Sequence, residues 1–241
     1  MKKNDFITTN KFLVLVLLFI ITNTLSIRLF KNINSKDINL KGEGIITNDD
    51  IINNSSLEFP LRLIDVKTKL LEKELKMNLS LKSISVRREL FPVRLNINIK
   101  KRIPIAFAEK VAQGRKVSGF MDLEGVFIDK KYVDESNLKS FNLKVFGWDT
   151  KHKQLISKVL IFYANNIDDL ESIYITDTDS IILKEKKINE IILGLSPQEI
   201  DLQLRLIPII KNQLKEQKIL KEIQSLDLRD PNNPKLKVFI P

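Results

Sequence analysis

Phe12 to Ile27, FLVLVLLFIITNTLSI, is an unbroken run of sixteen uncharged, mostly apolar residues behind Lys2, Lys3 and Lys11. A helix needs about 20 such residues to cross a hydrocarbon core. Extension through Leu29 and Phe30 reaches that length and leaves Arg28 at the far boundary, where its stem can reach polar surroundings. The pattern predicts a membrane anchor over residues 12–30 with residues 1–11 as a short cytoplasmic tail. Lysines ahead of the run favour an inside N-terminus and an outside body, although Arg28 and Lys31 weaken the contrast. A cleaved signal peptide is the competing reading, and no clear Ala-x-Ala-like exit follows the run.

Beyond a linker at 31–36, the pattern alternates between helical and strand periods. Asp37 to Leu40 predicts a short strand, Gly42 and Gly44 a turn, and Thr47 with Asp50 the capped start of a short helix. Leu61, Ile64, Thr68, Leu71 and Leu75 recur at helical spacing, with Asn78 as the breaker. Ile84 and Val86, then Val93, Leu95, Ile97 and Ile99, alternate with polar residues around a Glu89 to Pro92 connection. That is a half-buried hairpin in an antiparallel sheet covered on one side, with Arg94 and Lys100 outward.

After Pro104 the sequence predicts strands at Val117 to Met121 and Val126 to Ile128 around a turn at Asp122 to Gly125. A helix follows with Leu155, Val159 and Phe162 on its inner side, then strand segments around Ile173 and Ile175, Ser180 to Leu183, and Ile188 to Leu193. Ser196-Pro197-Gln198-Glu199 reads as a capping box with proline in the first helical position. Ile200, Leu204 and Ile207 form the inward stripe, and Pro208 is expected to kink or divide the helix. Asp230-Pro231-Asn232-Asn233-Pro234 separates Ile223, Leu226 and Leu228 from Leu236, Val238 and Ile240, predicting a hairpin whose last strand lies at a sheet edge. The expected class is α+β: one N-terminal transmembrane helix, a small first domain and a distal mixed domain ending in an edge strand.

At 241 residues and 43% hydrophobic, the chain can form the anchor and one or two compact domains. The absence of cysteine excludes disulfides and thiolate metal sites. The formal charge of +10 suits nucleic acid, anionic lipid or an acidic protein surface. The cations are dispersed and few aromatics interleave them, which argues against nucleic acid. Candidate chemistry is thin, and no cofactor is implied. His152, the single histidine, stands near a helix start, where solvation or capping accounts for it better than catalysis. Asp177 and Asp179 imitate an acid pair without a third ligand. Asp122, Glu124 and Asp129 lack EF-hand spacing, Gly42 and Gly44 precede no Gly-Lys-Ser/Thr, and Trp148 reads as a packed boundary.

Three segments carry a family resemblance: SVRRELFPVRLNINIKKRIPIAF at 85–107, GFMDLEGVFID at 119–129 and SLDLRDPNNPKLKVF at 225–239. In this order they resemble the bacterial cell-division proteins FtsQ and DivIB. Arg88 to Pro92 and Pro104-Ile105-Ala106 are similar to the hairpin tip and Pro-x-Ala that close that family's POTRA domain. Asp122 to Phe127 is similar to the turn opening its beta domain, and Asp227-Leu228-Arg229 to the element before its last strand. The stub is short, and residues 136–141 depart from the family's Leu-Pro pattern. The Lys, Asn and Ile bias fits a compact AT-rich genome, such as a cyanobacterial member. The resemblance implies a POTRA domain at 37–107 and a beta domain at 108–241. It also implies a noncatalytic divisome scaffold, enriched at the septum with its body outside the plasma membrane. Expected partners are FtsB/DivIC-like and FtsL-like proteins, with other septal peptidoglycan synthesis components nearby. A POTRA-bearing envelope chaperone or secretion component is the alternative. An edge strand at Lys235 to Ile240 is expected to pair with a partner strand. Arg229 can meet a partner acid or remain tied to Asp227 or Asp230. Leu236, Val238 and Ile240 can serve ordinary sheet packing or be covered by the partner.

Overall fold

The computed structural model describes the backbone of residues 3–42, 45–112, 114–133, 141–176, 178 and 180–238, with side chains except at 3–11, 112 and 221. It divides into two compact units, Met1–Lys101 and Arg102–Pro241.

The first unit opens with helix α1, Lys3–Leu29. Its Phe12–Leu29 stretch has a mean hydropathy of 2.2 and no residue buried by the protein, so it is long and apolar enough to cross a membrane. The segment expected to be a linker is structured. Strand β1, Asn32–Ile33, pairs antiparallel with β3, Leu61–Arg62, and Ile33 is fully buried. Between them lie β2, Ile38–Lys41, and α2, Asn48–Asn53. Thr47 and Asp50 form the expected capping box: Thr47 Oγ1 accepts from Asp50 N–H at 3.2 Å, and Asp50 Oδ2 accepts from Thr47 N–H at 2.9 Å.

The helical face read from Leu61 onward begins only at α3, Thr68–Asn78. Leu61 belongs to β3 and Ile64 to a 3₁₀ turn, so pairing with β1 overrides the helical spacing there. The hairpin consists of β4, Ser83–Leu90, and β5, Val93–Lys100. Leu90 opposes Val93, so Phe91 and Pro92 alone make the turn, tighter than the expected connection. The sheet order is β2-β5-β4, and β2 runs parallel to β5, so the sheet is mixed rather than antiparallel. Leu95, Ile97 and Ile99 alternate inward and are buried, as are Leu71 and Leu75 of α3, as their period requires. Arg94 points outward as expected but is half-buried by its ion pair with Glu89.

Among the described residues of the second unit, nine strands form one sheet in the order β14-β13-β12-β11-β10-β9-β6-β7-β8. They are β6, Pro104–Ala112; β7, Arg115–Asp122; β8, Phe127–Asp129; β9, Lys144–Trp148; β10, Leu170–Ile175; β11, Ser180–Glu185; β12, Glu190–Gly194; β13, Ile223–Asp227; and β14, Lys235–Val238. The boundary expected after Phe107 falls inside β6. Helices α4, Lys153–Phe162, and α5, Ile200–Glu216, supply the rest of the core. Leu155, Ile156, Val159 and Leu160 are the buried positions of α4, whereas Phe162 is 38% exposed.

The β7–β8 turn is held by chemistry the sequence made legible. Asp122 Oδ1 accepts from the Glu124 and Val126 amides at 3.0 and 2.8 Å. Gly125 adopts φ of 69°, and a Cβ there would lie 2.5 Å from the Lys153 carbonyl oxygen. Asp122 and Glu124 also hold the buried Arg102 guanidinium, so these acids brace a turn. Burial opposes the Arg102 charge, but the Glu124 and Asp122 hydrogen bonds outweigh it and raise its pKa. Trp148 donates to the Gly125 carbonyl at 3.0 Å and packs beside Phe127, the boundary role expected of it. His152 is buried at the start of α4 rather than solvated.

Candidate functional site: the free edge of the sheet

The C-terminal hairpin forms as its turn residues dictate. Asp230 Oδ1 accepts from Asn232 N–H at 3.0 Å, and the Asp230 carbonyl accepts from Asn233 N–H at 3.1 Å. The register that follows opposes Asp227 with Lys235, Leu226 with Leu236, Ser225 with Lys237 and Ile223 with Val238. Strand β14 ends the sheet order, so one side of its backbone meets no strand among the described residues.

Cross-strand pairing places Leu236 at the end of a continuous row. Ala108, Val145, Ile173, Leu183, Ile191, Leu226 and Leu236 are consecutive partners across seven strands and therefore share a sheet face. Each member through Leu226 is at most 1% exposed, whereas Leu236 is 45% exposed. Val238, opposite the buried Ile223, is 44% exposed. Both side chains are therefore only partly covered at the edge of the sheet. Lys235 and Lys237 occupy the opposite face and are exposed. Ile240 lies outside the described residues, as do Asp177 and Asp179.

In this structure Arg229 pairs internally with Asp227. Its Nε donates to Asp227 Oδ1 at 3.0 Å and its Nη2 to Asp227 Oδ2 at 2.6 Å. This fork holds the Asp227 carboxyl below its ordinary pKa, with burial opposing. Arg229 remains 55% exposed and close to β14, so it is an occupied cation at the rim.

Gln203 is a contributor that sequence reasoning missed. It is fully buried on α5, accepting from Gly194 N–H at 3.1 Å and donating to the Arg229 carbonyl at 3.4 Å. Leu228 N–H donates to the Ile192 carbonyl at 2.8 Å. Together these bonds fasten Asp227-Leu228-Arg229 to β12 and α5, leaving β14 beyond a braced support. The signal in sequence was one glutamine between Ile200 and Leu204 on an otherwise apolar inward stripe.

Among the described residues, no cluster of three or more His, Cys, Asp or Glu side chains can hold a metal ion. What the edge offers is backbone hydrogen bonding, two apolar side chains and flanking positive charge.

No curated protein matches the chain. Among solved structures, it is similar to the major extracytoplasmic domain of the trans isomer of the bacterial cell-division protein DivIB from Geobacillus stearothermophilus. That likeness has 13% identity and a TM-score of 0.27, covering 48% of this chain and 97% of the other. Residues 33–102 match the family described as POTRA domain, FtsQ-type. Within it β2, α2, α3, β4 and β5 follow one another, with the short strand β3 between the two helices, and that arrangement with the match assigns this segment to a POTRA domain of FtsQ type.

Proposed function

We propose that this chain is a noncatalytic, single-pass membrane scaffold of the bacterial division machinery. In this reading α1 crosses the plasma membrane with its N-terminus in the cytoplasm. The two folded units stand outside and are enriched at the septum. The FtsQ-type POTRA match at residues 33–102 is the observation that carries the division assignment. The helix supports the anchor: Phe12 to Ile21 are all exposed apolar side chains, and no residue of the Phe12–Leu29 stretch is buried by the protein.

The partner-binding element is β14, which takes a strand from an FtsB/DivIC-like or FtsL-like protein and links it to septal peptidoglycan synthesis. Its support is the apolar row that stays buried through Leu226 and opens at Leu236. A strand added beyond β14 satisfies its outward backbone groups and covers Leu236 and Val238. Lys235, Lys237 and the exposed side of Arg229 favour an acidic partner segment, and Ile240 belongs to the same proposed edge. Edge lysines also discourage indiscriminate pairing, which gives the site selectivity.

The test is affinity capture from the native cell with the membrane preserved, using the parent chain and Leu236→Asp. The parent is expected to recover FtsB/DivIC-like and FtsL-like proteins, and the variant about tenfold less at unchanged membrane content, the equivalent of ~1.4 kcal/mol. Recovery of secretion machinery without division proteins would establish the envelope chaperone reading instead. Equal capture by both forms would remove β14 as the docking edge.

A further inference from the structure

The end of α1 is tied to the tip of the β4–β5 hairpin within the first unit. Arg28 Nη1 donates to the Leu90 carbonyl at 3.1 Å, and its guanidinium lies 4.1 Å from the centre of the Phe91 ring. The Lys31 carbonyl accepts from Leu63 N–H at 3.0 Å, and β1 starts at Asn32. The guanidinium of Arg62 stands 5.8 Å from the Phe30 ring. No free linker therefore separates the apolar helix from the POTRA domain.

These contacts set the depth of an exposed aromatic pair. Phe91 is 58% exposed and Phe30 54%, with Ile27 beside them at 66%. The stretch from Phe12 to Leu29 has eighteen residues, and at helical rise that is about 27 Å, close to a hydrocarbon core's thickness. Arg28 then lies at the far boundary of the bilayer, and Phe91, stacked on it, lies at the same level. Aromatic rings backed by guanidinium groups suit that zone: the rings enter the upper acyl region while the cations meet phosphate oxygens. Water offers exposed Phe30 and Phe91 no comparable partner.

We propose that the Phe91–Pro92 tip of the POTRA hairpin, together with Phe30, inserts into the headgroup–acyl boundary of the outer leaflet. Arg28 and Lys31 then face lipid phosphates. The POTRA domain rests on the lipid surface, held by α1 on one side of the tip and by lipid on the other. This inference rests on the reading that α1 spans the membrane.

The full chain reconstituted in phosphatidylcholine–phosphatidylglycerol vesicles provides the test, with lipids brominated either high or deep on the acyl chain. Trp148, the single natural tryptophan, gives the background signal of the parent. Phe91→Trp should add blue-shifted emission that shallow bromines quench about twofold and deep bromines quench less. Phe19→Trp, in the middle of α1, should be quenched most by deep bromines. Quenching at residue 19 without quenching at residue 91 overturns the docking and leaves the span intact. Loss of quenching at both positions overturns the span and the docking with it. A blue shift at residue 91 that ignores bromine marks a protein contact and also overturns the proposal.

Discussion

Glu185 shows how one charged residue can sit among apolar neighbours. Its side chain has no exposed surface, and it pairs with Lys211, which is 17% exposed. Burial pushes the Glu185 carboxyl up from its ordinary value, with Asp169 adding to the rise, while Lys211 and then Lys187 pull it down. The same burial, with the charges of Glu185 and Asp169, raises the neighbouring Tyr163 hydroxyl. A carboxyl with a raised folded pKa contributes its full stability below the unfolded value of about 4.3 and loses it as pH rises through the folded value. Lys211→Met removes the main opposing charge and leaves the buried carboxylate poorly compensated. At neutral pH the loss should be about 3–5 kcal/mol, the cost of breaking a buried pair by removing one partner. It should shrink as Glu185 protonates on acidification. Urea unfolding of the full chain in detergent at neutral and mildly acid pH measures this, and an equal loss at both would exclude Glu185 as its source. The two-residue period Ile181, Leu183, Glu185 already points this glutamate inward. Its partner, contributed by a helix distant in sequence, was not legible.

At the scale of elements, α5 secures the end of β12 and the start of the hairpin through a single side chain. Gln203→Leu conserves bulk but leaves the Gly194 N–H and the Arg229 carbonyl without their partner. A fully buried orphan costs about 1–3 kcal/mol, and these two part-buried groups together should cost about as much as one. The variant should be destabilised by that much, with hydrogen exchange at Gly194 accelerating more than at Ile191 in the strand centre. Uniform acceleration along β12 would show that Gln203 does not pin this end locally. The same helix shows where local sequence rules were overridden. Ser196 does start a turn, but its carbonyl accepts from both Glu199 and Ile200 amides, and α5 begins only at Ile200. The capping-box reading is therefore corrected to a turn placed before the helix. Pro208 does not divide α5: the helix runs on from Ile200 to Glu216 with the proline at an exposed position, where its ring displaces no core side chain. Strong two-residue alternation made β5 and β14 legible. Strand β6 was harder to read because its buried positions, Ala106 and Ala108, are small and follow a proline.

For the whole molecule, the decisive property is the mismatch between α1 and everything after it. Both folded units bury their own apolar rows, whereas Phe12 to Ile21 are each 40–69% exposed with no protein cover. Fully burying each such side chain is worth about 1.5–3 kcal/mol, so the summed exposure in water exceeds the whole stability of an ordinary domain, about 5–15 kcal/mol. A lipid core resolves that conflict, and the intact helix should keep the chain in the membrane through alkaline carbonate extraction. Leu17→Arg combined with Ile20→Arg places two charges near the middle of the span. Each costs about 2.5–3.5 kcal/mol on insertion scales, so the pair should move most of the chain to the soluble fraction. Both folded units should survive there, because no described side chain of α1 is among the buried core residues. Immunoblotting of the fractions for size and yield separates the possible outcomes. A shortened parent chain free of the membrane would identify Phe12 to Ile27 as a cleaved signal and remove the tether on which display of β14 at the membrane depends.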